Sequence, residues 1–151
     1  MKQSIIVLAL IFSLSACSSG FFKPATSKIP GEWTYQRVRV FKPFSLFGED
    51  ETEKYIDFSF KFFADGSARY FNSDKSITFS GFWQYRSEWM YNMDRDTDER
   101  VHFLDMHFMD DQKELEDVIF FLENVRVSNQ RITGTMYVDN VRISIALARK
   151  S

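Results

Sequence analysis

From Gly31 onward the chain alternates apolar and polar positions, with many aromatic and β-branched residues and turn residues at short intervals, the pattern of half-buried strands. The alternation predicts eight strands, over approximately 31–42, 54–64, 67–73, 76–91, 99–109, 117–127, 131–139 and 141–149. In the second, Ile56, Phe58, Phe60 and Phe62 share one side while Tyr55, Asp57, Ser59 and Lys61 share the other. In the last, Val141, Ile143, Ile145 and Leu147 oppose Arg142 and Ser144. Successive strand side chains point to opposite faces, so one set builds a core. The connections Ala64-Asp65-Gly66-Ser67, Ser73-Asp74-Lys75, Ser128-Asn129-Gln130 and Asp139-Asn140 are short enough to force antiparallel hairpins. Only Asp111 to Asp117 offers a turn of helix. The expected fold is all-β, an eight-stranded antiparallel up-and-down β-barrel whose closure removes exposed edges. A sandwich is the rival, disfavoured because the long crossing connections of a Greek key are missing.

Ahead of Gly31 the pattern is different. Lys2, an apolar run from Ile5 to Leu14 and small residues up to Cys17 have the three parts of a cleaved secretory signal, and the run falls short of the about 20 residues that span a bilayer. Leu14-Ser15-Ala16-Cys17 resembles the bacterial lipobox. The resemblance implies that the Cys17 sulfur receives a diacylglycerol, that cleavage precedes it and that the new amine is acylated. Several acyl chains anchor stably where one alone is marginal. Residues 1–16 are therefore expected to be a lipoprotein signal peptide, 17–30 a lipidated N-terminus and tether, and 31–151 the barrel domain. Ser18 stands where the enterobacterial sorting pattern would place Asp for inner-membrane retention. That implies the outer membrane, with the domain facing the periplasm. Phe21 and Phe22 interrupt a tether of Ser, Gly, Pro, Lys and Thr, and are read as packing under the domain or touching lipid headgroups.

Composition narrows the function. The chain has 19 Lys and Arg against 21 Asp and Glu, a formal net charge of −2, and becomes one unit more negative once Lys2 is removed with the signal. Nothing in that balance forms the basic patch that nucleic acid requires. Cys17 is the sole cysteine, so an acylated mature chain has no disulfide and relies on packing. No G-x-S-x-G, H-E-x-x-H or phosphate-cradling loop occurs. His102 and His107 are five apart in one strand and face opposite sides. The acids of Asp94-Arg95-Asp96-Thr97-Asp98-Glu99 faintly echo a calcium loop, but Glu99 stands where that loop needs Gly. No catalytic residue, metal or cofactor is expected.

Gly31-Glu32-Trp33, the Asp-Gly turn after Phe62, Ser80-Gly81-Phe82-Trp83 and Ile132-Thr133-Gly134-Thr135 together resemble the lipocalin-like domains of small bacterial lipoproteins, within the calycin group. The likeness covers about Gly31 to Lys150. Geometry adds a check, because Arg149 shares the inward set of the last strand and a closed meander brings that strand's end beside the start of the first. Arg149 should lie over Trp33 as a structural base, a pair that gains about 0.5–2 kcal/mol and resembles the Trp and basic residue closing the lipocalin base.

The opposite end is then the mouth. Its loops carry Glu49, Asp50, Glu51, Glu53, Asp110, Asp111, Glu114, Glu116 and Asp117 against Lys75 and Lys113, a rim that repels anions and favours neutral or cationic partners. Phe44, Leu46 and Phe47 precede its first acids. They are expected either as an apolar lid, as the resemblance implies, or as packing on the barrel shoulder. Inward candidates are Ile56, Phe58, Phe60, Phe62, Phe79, Trp83, Tyr85, Leu104, Met106, Phe108, Phe120, Leu122 and Met136. An eight-stranded barrel either fills with such side chains or holds one small ligand.

Two functions follow. One is a binding module for a small apolar or amphipathic ligand, with Phe44, Phe47, Phe58, Phe60, Phe79, Tyr85, Met106 and Phe108 as lining candidates. The other is a non-enzymatic envelope protein whose filled barrel binds a protein partner, an assembly factor or an enzyme to be inhibited. The first is placed ahead by analogy of fold alone.

Overall fold

The computed structural model describes residues 24–110 and 115–151. The signal-like segment, Cys17, Phe21, Phe22, Asp111, Lys113 and Glu114 lie outside the described residues. In chain order the elements are α1 (Ala25–Lys28), β1 (Gly31–Phe41), β2 (Glu49–Asp50), a 3-10 turn (Thr52–Tyr55), β3 (Phe58–Phe62), β4 (Ser67–Asn72), β5 (Ile77–Asn92), β6 (Thr97–Asp110), β7 (Val118–Val127), β8 (Arg131–Val138) and β9 (Val141–Arg149). From β3 onward each strand pairs with its successor, β1 pairs with β3, and β9 returns to pair with β1, so eight antiparallel strands close into a barrel. β2 is an extra strand on the upper part of β1, where Val40 faces Glu49.

Closure is carried by the longest ladder to β1, from Trp33 opposite Arg149 to Phe41 opposite Arg142. The hairpins follow the turn chemistry of their sequences. Asp139 and Asn140 both take positive φ, 48° and 65°, as a tight hairpin turn demands. Asp65 Oδ1 accepts from the Ser67 amide at 2.9 Å and Gly66 stands at φ 88°.

One stretch departs from the alternation. The expected second strand starts four residues late, because Thr52–Tyr55 winds as a 3-10 turn. Asp50 Oδ1 accepts from the Thr52 amide at 3.0 Å, and Thr52 Oγ1 in turn accepts from the Val38 amide at 2.9 Å. A period near three replaces a period of two, which reverses the faces. Ile56, expected inside, is 72% exposed, whereas Tyr55, expected outside, packs on the core with its ring 5.1 Å from Tyr35.

The two G-x-W sequences have separate physical reasons. Gly31, at φ 140°, leaves the space of the Arg149 guanidinium, since a Cβ there would come within 2.1 Å of its Nη1. Gly81 lies against β6 so closely that a Cβ would meet the His107 carbonyl oxygen at 1.8 Å. Trp83 donates from Nε1 to the Phe63 carbonyl at 2.9 Å, tying β5 to the β3–β4 turn.

Candidate functional site

The base of the barrel is built as expected. Trp33 is fully buried and donates from Nε1 to the Ile29 carbonyl at 2.8 Å. The Arg149 guanidinium covers its ring at 4.4 Å from the centroid. The same fork donates to the carbonyls of Pro30 at 2.9 Å, Asn129 at 2.6 Å and Lys28. Five donors in a rigid plane suit such a cluster of acceptors, a job that lysine could not do. The segment from α1 to Pro30 is thereby fastened under the barrel, so the described chain enters at this closed end.

Above the base the interior is a continuous stack of rings. Phe60 lies 5.8 Å from Phe62, 5.9 Å from Phe108 and 5.5 Å from Phe120. Tyr70 joins Phe60 at 4.8 Å, Phe58 at 5.3 Å, Phe108 at 5.4 Å and Phe79 at 6.1 Å. These spacings are those of favourable tilted and offset aromatic pairs. Phe60, Phe79, Met106 and Phe108 are buried, and Phe58 and Tyr85 half-buried. Six of the candidate lining residues thus join one packed core, Phe60, Phe79, Met106 and Phe108 within it and Phe58 and Tyr85 packed against it. Tyr85 is separated from the mouth by the depth of the barrel and stacks on His102 with centroids 5.6 Å apart. Tyr70 was the residue to find, and its alternation with Ala68 and Asn72 in β4 was the available signal.

Burial has an electrostatic consequence for this stack. It pushes the Tyr70 hydroxyl up to about 12 and the Tyr35 hydroxyl well above the ordinary tyrosine value. Neither group affects stability below about pH 10, where folded and unfolded phenols are both neutral. Between there and about pH 12 the unfolded chain releases protons that the barrel retains, so stability falls as pH rises. Alkaline titration followed by tyrosinate absorbance and circular dichroism should show ionisation of these rings coinciding with unfolding. Tyr70→Phe should make that loss of stability less steep.

The mouth end carries the exposed groups. Phe44, Leu46 and Phe47 are 107%, 89% and 84% exposed, so they neither fold over the mouth as a lid nor pack on the shoulder. Phe44 also stands at φ 66°, unusual for a bulky residue. Glu49 pairs with Lys42 at 2.9 Å and Glu51 with Lys54 at 2.9 Å. Hydrogen bonds from the Thr52 hydroxyl and amide hold the Asp50 carboxyl below the usual carboxylate range, with Arg37 and Arg39 adding to the effect. Across the mouth, Asp117 Oδ2 lies 2.8 Å from His107 Nε2, and Leu115 and Glu116 are exposed. Below this side, the outer wall of β5, β6 and β7 shows Phe82, Met109, Ile119 and Phe121 to solvent. Sequence reasoning passed over that wall, although apolar residues on both strand faces were its signal.

His102 and His107 do face opposite sides, one against Tyr85 and the other against Phe82. The acidic loop from Asp94 is a short hairpin tip, since β6 already begins at Thr97. Its side chains are engaged locally, Arg95 with Glu99 at 2.8 Å and Tyr91 with Asp96. Among the described residues no group of His, Cys, Asp and Glu is placed to hold a metal ion. The fold and its ring-filled interior define a closed antiparallel barrel with its apolar groups displayed at the ends and on one wall. Comparison with protein-family models, curated proteins and solved structures gives no match.

Proposed function

We propose that this protein is a lipid-anchored, non-enzymatic component of a bacterial outer membrane, held through Cys17, whose mouth rim binds a cationic protein partner in the periplasm. The observation that carries this reading is the interior, where Phe58, Phe60, Tyr70 and Phe108 occupy the space that a ligand would need. Binding is then left to the outside. The rim supplies the exposed carboxylates of Glu53 on one side and Glu116 and Asp117 on the other, together with the exposed rings of Phe44 and Phe47, a surface matched to a basic partner with apolar anchors. The left-handed backbone at Phe44 costs about 1–3 kcal/mol, and burial of its ring against a partner offsets that cost. The rival, a small apolar ligand inside the barrel, requires those rings to part.

A photo-crosslinking side chain at Phe47 tests the reading in intact envelopes. One discrete adduct is expected, with a yield that falls severalfold when Glu53→Gln and Glu116→Gln are combined. An adduct indifferent to those changes sinks the rim as the binding surface. A small-molecule adduct in the native mass spectrum, lost in Phe58→Ala, would put the ligand reading first.

A further inference from the structure

β5 and β6 outrun their neighbours. β4 accompanies β5 only from Ile77 to Phe82, and β7 accompanies β6 only from Leu104 to Phe108, yet β5 and β6 stay paired to Asn92 opposite Thr97. β7 bends at a bulge where Asn124 takes φ 53°, and β4 begins only after the Gly66 turn, whose carbonyl accepts from the Trp83 amide at 2.9 Å. Beyond Tyr85 the two strands therefore form a ribbon with both edges unpaired, about 23 Å long from Arg86 to Asn92 at the usual rise per residue. It is braced at its root. Arg86 lies 4.2 Å over the Phe103 ring and 5.3 Å from that of Phe121, and bonds Asp105 at 3.0 Å.

In the ribbon's far half the β5 side shows apolar groups on both faces and into the turn, opposite a polar β6 side of Thr97, Asp98, Glu99 and Arg100. Trp89 is 71% exposed, Tyr91 60%, Met90 49% and Met93 86%. Trp89 and Tyr91 share one face, Met90 lies on the other, and Met93 opens the turn. An isolated two-stranded ribbon is marginal in water, and such groups gain nothing by standing in it. The direction of the ribbon identifies what covers them. β5 runs down from the mouth, so the tip projects from the closed end, the end where Ile29 and Lys28 are fastened under Trp33 and Arg149. Six residues separate Cys17 from Pro24, and the seven steps between them reach about 25 Å at most. An acylated Cys17 and the ribbon tip thus address the same plane.

We infer that the tip of the β5–β6 hairpin is a membrane-interface contact, with Trp89, Tyr91, Met90 and Met93 seated among phospholipid headgroups while the barrel stands above them. Tryptophan and tyrosine favour that depth because each presents an apolar body and a polar tip. The unpaired backbone edges keep the ribbon out of the hydrocarbon, where they would go unsatisfied. Asp94, Asp96 and Asp98 around the turn favour headgroups without net negative charge. The inference rests on the anchored reading of Cys17.

The test uses the mature lipidated chain in phosphatidylcholine vesicles, with and without bromine on the acyl chains. Trp33 is buried in the barrel, whereas Trp89 is exposed, so bromine should quench an emission component that disappears in Trp89→Phe. Met90→Ser with Met93→Ser should reduce that quenching without changing the circular dichroism of the barrel. Quenching that is absent, or that persists in Trp89→Phe, overturns the inference. Disulfide-linked pairs of Met93→Cys chains with no quenching would place a second copy on the ribbon and overturn it equally. Intact mass reads Cys17 acylation separately. A lipidated chain with unquenched Trp89 removes only the ribbon contact, and an unlipidated chain that fails to float with vesicles removes both readings.

Discussion

Replacing Trp33 with alanine is expected to destabilise the barrel by about 3–5 kcal/mol, the range for a fully buried aromatic. Typical domains have about 5–15 kcal/mol in total, so the variant should be partly unfolded at modest urea concentration. Three losses coincide in this one side chain. The ring is completely buried, its Nε1 proton is bonded to Ile29, and its face holds the Arg149 guanidinium. Urea unfolding of Trp33→Ala, Arg149→Met and the double variant separates them. The ring and guanidinium should couple by about 0.5–2 kcal/mol. Additive effects would mean that Arg149 acts only through its carbonyl acceptors. Arg149→Lys should not rescue, because an ammonium cannot serve Lys28, Pro30 and Asn129 in one plane.

Phe60→Ala should cost a similar amount, about 3–5 kcal/mol, and should also give the barrel a property it lacks. Phe60 touches the rings of Tyr35, Phe62, Tyr70, Phe108 and Phe120, so truncation leaves a void lined by apolar groups. Such voids stay dry and take up small aromatic molecules. The variant should therefore gain a thermal shift with benzene or a compact hydrophobic dye, and the parent chain should show none. An equal shift in the parent chain would mean that the rings part readily, and would return the interior to consideration as a binding site.

The barrel was legible because strand periodicity is local. Val141 to Leu147 and Phe58 to Phe62 declare their faces without reference to other strands, and short turns force each successive pair to be antiparallel. Counting strands then fixes which end Trp33 and Arg149 share. What was not legible depends on distant partners. The face reversal at Tyr55 and Ile56 follows from Thr52 receiving a hydrogen bond from Val38, fourteen positions away. The alternation of β5 continues unchanged through Trp83, so the sequence of that strand alone does not reveal where it leaves the barrel. That point is set by the Gly66 turn and the Asn124 bulge, both on other strands. The rim was foreseen as acidic from composition, but the full exposure of Phe44 and Phe47 needed the backbone to be placed.

The ladder between β1 and β9 also governs how the molecule is made. Its pairs join residues near the start of the domain to residues at its very end, Trp33 to Arg149. Nothing shorter can substitute, since hairpins alone leave two open edges. Refolding should be slow for a chain of this size, in the range of milliseconds to seconds typical of non-local β topologies. During synthesis the successive hairpins can pair as they appear, but the circle of strands cannot close until β9 has emerged to meet β1.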